Sequence, residues 1–209
     1  MLADYTVLDV ETTGLSKYFC KITEIAALKV RDNKVIERYQ SLVNPECQIP
    51  EFITQLTGID NELVKDQRTI KEVIPEFISF LGEDIMVGHN VGFDYGFINH
   101  NSEKHLNVYL TNPRLCTIKL SRRLLPDLAS RKLASLCNYF EVTNDNAHRA
   151  MGDCVATNHI FSKMNAILHN NGIIERDDIL QFQKSKIPKI DYFAQRPESS
   201  SSSSQTTQI

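Results

Sequence analysis

Apolar residues alternate or cluster in short β-branched runs through the first quarter of the chain. Residues 5–10 (YTVLDV) form one such run, closed by the turn-forming Thr12-Thr13-Gly14. They predict a short buried strand that delivers Asp9 and Glu11 at its C-terminal end. Residues 22–30 and 35–43 repeat the pattern and are joined by Arg31-Asp32-Asn33-Lys34, whose Asp-Asn pair suits a tight turn. The three runs predict an antiparallel meander.

After Pro45 and Pro50 the period lengthens. Ile70, Val73, Ile74, Phe77, Ile78 and Leu81 recur at spacings of three and four and stop at Gly82, the signature of a helix with one face in the core. Residues 84–88 predict another strand, Phe93 opens a helix, and residues 115–117 predict a strand leading into a helix that Pro126 stops. Residues 133–140 and 149–168 are two further helices, the second closed by Asn170-Asn171-Gly172, and residues 176–184 predict one more. Three strands followed by alternating helix and strand, then helices, describe an α/β fold with helices flanking a mixed sheet.

The expected organisation is a domain over residues 1–172, an extension with a short helix over 173–193, and a disordered tail over 194–209 that contains the serine run 199–204. The chain has 209 residues, 42% of them hydrophobic and 23% charged, enough to bury a core. Lys+Arg 23 against Asp+Glu 26 leaves a net charge of -3, so any nucleic acid must be gripped locally rather than by a bulk positive field. The five cysteines are scattered without a C-x-x-C pair, which fits free thiols in a reducing compartment. No apolar run reaches membrane-spanning length and the start does not read as an export signal, so the expected location is the cytoplasm, away from membranes.

Candidate chemistry lies in three places. Asp9 and Glu11, two apart on a strand, project to one face and can share a cation, although such a triplet is commonly a solvated strand edge. Asp94 falls in the first turn of a helix, after a turn at Asn90 and Gly92; acidic residues there are also favoured by the helix dipole alone. His148 precedes a long helix, and Asp153 lies about one turn along it, so imidazole and carboxylate can approach one site; a cap and a solvated acid have the same spacing.

Taken together and in order, DVETTGL (9–15), HNVGFDYGFI (89–98) and HRAMGDCVAT (148–157) resemble the three motifs of the DnaQ-like, DEDDh-type 3′ to 5′ exonucleases. The resemblance covers roughly residues 4–168. Leu56-Thr57-Gly58-Ile59 and Lys132-Leu133-Ala134-Ser135-Leu136 are similar to connecting segments of that family, whereas Cys116 stands where the family commonly carries Asp.

The resemblance implies a ribonuclease H-like fold. It makes Asp9, Glu11, Asp94 and Asp153 metal ligands and His148 the general base. It sets Thr12, Gly14 and Leu15 against the terminal nucleotide, and His89, Asn90 and Phe93 beside the substrate strand. Two Mg²⁺ or Mn²⁺ ions about 4 Å apart would neutralise the carboxylates and clamp an in-line displacement at phosphorus. A nucleoside 5′-monophosphate would leave, with activity rising from mildly acid toward alkaline pH as the imidazole becomes neutral. Arg114, Arg122, Arg123, Arg131 and Lys132 are candidates for contacts to the strand's backbone.

The implied activity is DNA 3′ to 5′ exonucleolysis in proofreading or repair, as in the epsilon subunit of bacterial DNA polymerase III or the exonuclease part of the Gram-positive replicative polymerase. RNA 3′-end trimming and a catalytically silent binding subunit are the alternatives. The implied partners are single-stranded DNA 3′ ends, with RNA as the alternative, and a replicative polymerase or sliding clamp. Lys189-Ile190-Asp191-Tyr192-Phe193 loosely resembles a short clamp-binding motif, with Lys189 in place of the usual glutamine; packing of Tyr192 and Phe193 on the domain is the other reading.

Overall fold

The computed structural model describes residues 1–184; the serine run and the segment from Lys189 to Phe193 lie outside the described residues. The first strand, β1 (Tyr5–Thr12), pairs antiparallel with β2 (Ile22–Arg31), which pairs antiparallel with β3 (Lys34–Leu42). The hairpin between β2 and β3 turns at Asp32 and Asn33, both at positive φ (49° and 61°), the backbone that a tight hairpin needs and that Asp and Asn tolerate.

Two short helices follow, α1 (Glu51–Thr57) and α2 (Asn61–Val64), then α3 (Ile70–Leu81), capped by a reciprocal Thr69–Glu72 box. The first two are absent from the periodicity reading. They are too short to show a period, and they bury only Ile53, Thr57 and Val64 between them.

The chain then alternates: β4 (Met86–Gly88), α4 (Gly92–Leu106), β5 (Arg114–Cys116), α5 (Thr117–Leu124), α6 (Leu133–Phe140), α7 (Ala150–Asn170) and α8 (Arg176–Lys184). One five-stranded mixed sheet results, in the order β3-β2-β1-β4-β5, with β4 parallel to both β1 and β5. The β1–β4 pairing spans only two residue pairs. A tie across it helps: Asp84 takes both oxygens to Arg31 and also accepts from the Thr6 hydroxyl at 2.6 Å.

Alternation along the central strands sorts side chains to two cores. Tyr5, Val7, Ala26 and Leu28 face α5, α6, α7 and α8, whereas Leu8, Val10, Ile25 and Ala27 face α3 and α4. Ile179 and Phe182 of α8 are buried in the first core, and the Gln183 amide accepts from the Cys116 N–H and donates to the Arg114 carbonyl. Cys116, the departure from the family pattern, is buried. Among the described residues no helix is long and apolar enough to cross a membrane.

Candidate active site

Period-2 alternation along β1 carries Asp9 and Glu11 on from Tyr5 and Val7, on the face covered by α7. The apolar residues upstream bury the strand; the two carboxylates lie at its C-terminal end, past its pairing with β4 and just before an irregularity between Glu11 and Thr12 shifts its register with β2. The first turn of α7 brings Asp153 to the same place. One carboxylate oxygen from each of Asp9, Glu11 and Asp153 lies within 4.8 Å of the others, an all-oxygen donor set of the kind that hard divalent cations take.

Asp94 comes from the opposite layer, in the first turn of α4. It is 2% exposed, and its Oδ1 accepts from the Val10 N–H at 3.1 Å, so it reaches β1 from the other core and stands outside the tight cluster of three. It is still close enough to Asp9 to repel its charge.

The electrostatics are those of carboxyls that are buried and, at Asp9 and Glu11, set close to one another. Burial, then Asp94, Glu11, Asp153 and Glu24, push Asp9 well above the usual carboxylate range. Glu11 is pushed up to about 8 by burial and by Asp153, Glu24 and Asp94, with Arg149 pulling weakly the other way. Burial raises Asp94 to about 7 against the N–H groups it accepts from. Asp153 is also raised by burial, opposed by the hydrogen bond from Asn144 and by His148.

The turn before α7 is built tightly. His148 is exposed and adopts a left-handed backbone (φ 62°), which reverses the chain so that the imidazole and Asp153 both line a cavity of about 360 Å³ against α6. Asn144 Nδ2 donates to Asp153 Oδ1 at 2.7 Å and aims that carboxylate. A Cβ on Gly152 would sit 2.2 Å from the Asn146 carbonyl oxygen, so only glycine lets this loop lie on the first turn of α7.

Glu24 and Arg149 escape the motif reading. Glu24 lies opposite Glu11 on β2 and is fully buried. Arg149 donates to both its oxygens, at 3.1 and 2.9 Å, while the Gln40 amide and the Ala150 N–H donate at 2.8 and 3.1 Å. With these bonds its carboxyl stays below the usual range despite burial. Ala150 is the first residue of α7 and its N–H has no acceptor within the helix; Glu24 caps it from a strand 126 residues away in sequence. One signal was present in the sequence: Glu24 is the sole charge among Ile22, Thr23, Ile25, Ala26, Ala27 and Leu28, and a charge in a doubly buried strand requires a partner.

The residues expected beside substrate divide. Thr12 is buried and its hydroxyl donates to the Gly14 carbonyl at 2.7 Å; Gly14 packs on Cys20, where a Cβ would meet Sγ at 2.8 Å. Leu15 points outward, 87% exposed. His89 Nδ1 is 2.9 Å from the Thr117 hydroxyl, and burial holds its imidazole down at about 4 against the pull of the Arg131 backbone, so it is neutral at physiological pH. Asn90 forms the left-handed turn (φ 70°) that opens α4, and Phe93 meets the Phe97 ring at a tilt of 51°, centroids 5.0 Å apart.

Of the five basic residues expected to grip the strand, three are occupied within the fold. Arg114 lies over the Tyr95 ring at 3.7 Å, Arg123 over Phe182 at 4.9 Å, and Arg131 donates to the Leu125 and Pro126 carbonyls.

The exonuclease family profile (RNase_T) matches residues 6–161. The PolC-type DNA polymerase III of Caldanaerobacter subterraneus subsp. tengcongensis is 42% identical over 170 residues, which are 81% of this chain but 12% of that protein. This chain therefore spans a small fraction of the PolC-type relatives' length. The DNA polymerase III epsilon subunit of Aquifex aeolicus is 38% identical over 160 residues, 77% of this chain and 79% of that subunit. Among solved structures, exonuclease X in complex with 5′ overhanging duplex DNA superimposes with a TM-score of 0.67 at 25% identity, over 86% of this chain and 99% of that one. E. coli exonuclease I in complex with a dT13 oligonucleotide shares the fold at 18% identity (TM-score 0.69, covering 81% and 43%). The profile spans most of the chain and the Aquifex subunit is matched over most of its length: the chain belongs to the DnaQ-like exonuclease family that its three motifs resemble.

Proposed function

We propose that this chain is a metal-dependent 3′ to 5′ exonuclease that releases nucleoside 5′-monophosphates from single-stranded DNA ends, in proofreading or repair. One observation carries the reading: Asp9, Glu11 and Asp153, from a strand and a helix far apart in sequence, converge within 4.8 Å, with buried Asp94 behind them. Such a cluster repels itself: burial first, and then the neighbouring carboxylates, hold Asp9 and Glu11 above the usual carboxylate range. Divalent cations relieve it, and the all-carboxylate donor set fits Mg²⁺ or Mn²⁺. Asp9, Glu11, Asp94 and Asp153 would hold two such ions, which when bound supply positive charge to the attacking and departing oxygens of an in-line phosphoryl displacement.

His148 performs the proton chemistry. Its left-handed turn sets His148 in the lining of the cavity that Asp153 also lines, where the imidazole takes a proton from the attacking water. The water oxygen bonds to phosphorus, the bond from phosphorus to the 3′ oxygen breaks, and that oxygen takes a proton from solvent to end as a hydroxyl, while His148 returns its proton to solvent. Arg149 neutralises Glu24 and leaves the other four acids for cations.

DNA as substrate is supported by the family and by the DNA complex of exonuclease X; a polymerase partnership is suggested by the PolC-type and epsilon relatives. The test is incubation with 5′-labelled and 3′-labelled single strands of DNA and matched RNA, with Mg²⁺, Mn²⁺ or EDTA. The expected result is stepwise shortening of 5′-labelled DNA, immediate release of labelled mononucleotide from 3′-labelled DNA, and no reaction in EDTA. Faster loss of the RNA strand would transfer the reading to RNA 3′-end trimming, and no metal-dependent release from either would refute nuclease activity.

A further inference from the structure

The net charge of -3 requires local contacts to hold a strand, and the arginines read from the sequence are largely occupied within the fold. A different surface stands next to the carboxylates. Phe93, Gly96, His100 and Lys104 follow one another at spacings of three, four and four along α4, so they form one stripe that starts beside Asp94 and runs about 17 Å along the helix.

The loop between β1 and β2 packs on that stripe. It is closed by hydrogen bonds from the Thr13 N–H to the Lys21 carbonyl (2.8 Å), the Lys21 N–H to the Thr13 hydroxyl (2.9 Å) and the Cys20 N–H to the Ser16 carbonyl (2.7 Å). Lys17 passes over Gly96, its Cδ 3.4 Å from where a Cβ would be. Tyr18 meets the His100 ring edge-on at 5.5 Å, and Lys17 Nζ is 5.2 Å from the Tyr18 ring centre.

Two properties of this surface belong together. The tied loop holds Leu15, Tyr18 and Phe19 out in water, 87, 67 and 85% exposed, although each has apolar area that folding would ordinarily bury. Lys17, Lys21 and Lys104 gather around His100: burial first, then Lys104, Lys17 and Lys21, hold its imidazole below its ordinary value, with Glu103 opposing. Aromatic faces interleaved with ammonium groups bind single-stranded nucleic acid without sequence preference, because every base has a face to stack and every linkage a charge.

We infer that loop 16–21 and the partly exposed stripe of α4 form a track that stacks the bases and pairs the phosphates of the single DNA strand on the 5′ side of the scissile bond, with Tyr18, Phe19, Lys17 and Lys104 as its main contacts. The inference rests on the nuclease reading and adds to it a second place where substrate is held.

Two measurements separate this track from the cleavage chemistry. Affinity for a fluorescein-labelled thymidine oligonucleotide is read by anisotropy in EDTA, and turnover of the p-nitrophenyl ester of thymidine 5′-monophosphate, too small to reach the track, is read with Mn²⁺. Tyr18→Ala combined with Phe19→Ala is expected to weaken oligonucleotide binding by roughly 5- to 100-fold, the range for losing one stacked base or more. Ester turnover should stay within about two-fold of the parent.

Lys17→Ala with Lys104→Ala, a surface pair that does not threaten folding, is expected to lower the slope of log affinity against log salt by about 1.4, two phosphate contacts at about 0.7 each. Unchanged oligonucleotide affinity in the aromatic pair together with an unchanged salt slope in the lysine pair overturns the track and leaves the surface to a protein partner. A parent chain that turns over neither ester nor oligonucleotide would instead sink the nuclease reading, while the binding data would still decide the track.

Discussion

Replacing Arg149 with alanine leaves the Glu24 carboxylate fully buried, with only the Gln40 amide and the Ala150 N–H to stabilise it, opposite Glu11 and near Asp9. Breaking a buried ion pair from one side costs about 3–5 kcal/mol, because the remaining charge is desolvated and unpaired. The Arg149 side chain is 37% exposed, so water can enter where it stood, and the lower end, about 3 kcal/mol, is the expectation. At about 2–4 °C per kcal/mol for a domain of this size, the apo melting temperature should fall by about 6–12 °C.

Cleavage should fall as well, because Arg149 lies between His148 and Asp153 in sequence and anchors both to β2. The double variant Glu24→Gln/Arg149→Met removes both charges while keeping volume and an acceptor for the Ala150 N–H. It should recover most of the melting temperature but not the cleavage rate, which separates stability from positioning. Thermal melts in EDTA and initial rates on labelled single-stranded DNA measure the two. An Arg149→Ala chain that melts within about 2 °C of the parent and cleaves at its rate would refute the claim that this pair anchors the site.

Asp9→Ala should abolish cleavage yet leave the apo fold intact or slightly more stable, since it relieves like-charge repulsion; apo melting and a cleavage assay check both halves. His148→Ala should lower the rate by roughly 10²–10⁴-fold, the usual worth of a positioned general base, with Mn²⁺ binding measured by calorimetry largely retained. Gly152→Ala should destabilise by about 1–3 kcal/mol although alanine favours helix, because its Cβ would collide with the Asn146 carbonyl 2.2 Å away; a melt at or above the parent's would show that the loop yields freely. The apo chain should lose stability between pH 6.5 and 8. There the folded state keeps protons on Glu11 (about 8) and Asp94 (about 7) that the unfolded state has released, so the slope is negative, about 1.4 kcal/mol per pH unit for each carboxyl still protonated. His89, at about 4 when folded, adds stability only as pH rises toward 6.5 and is silent above it; apo stability that rises through the window would contradict the crowding of unneutralised acids.

Local periodicity carries much of the site in the amino-acid order alone. The strand ending in Asp9 and Glu11, the Asp32-Asn33 turn, the helix opening just before Asp94, and His148 placed one turn ahead of Asp153 are each written within about ten residues, and three motifs in order name the family. The tertiary structure decided the rest because the partners are remote or lack a pattern. Glu24 meets Arg149 across 125 residues, through a strand register that alternation alone cannot pair with a helix start. Asn144 grips Asp153 from an irregular loop, and Arg114 and Arg123, candidates for contacts to the strand's backbone, sit over rings of α4 and α8. Charge and periodicity are properties of the chain, but desolvation is not. Which carboxylates crowd together, which one receives a guanidinium, and which aromatics remain in water depend on how distant surfaces close over one another.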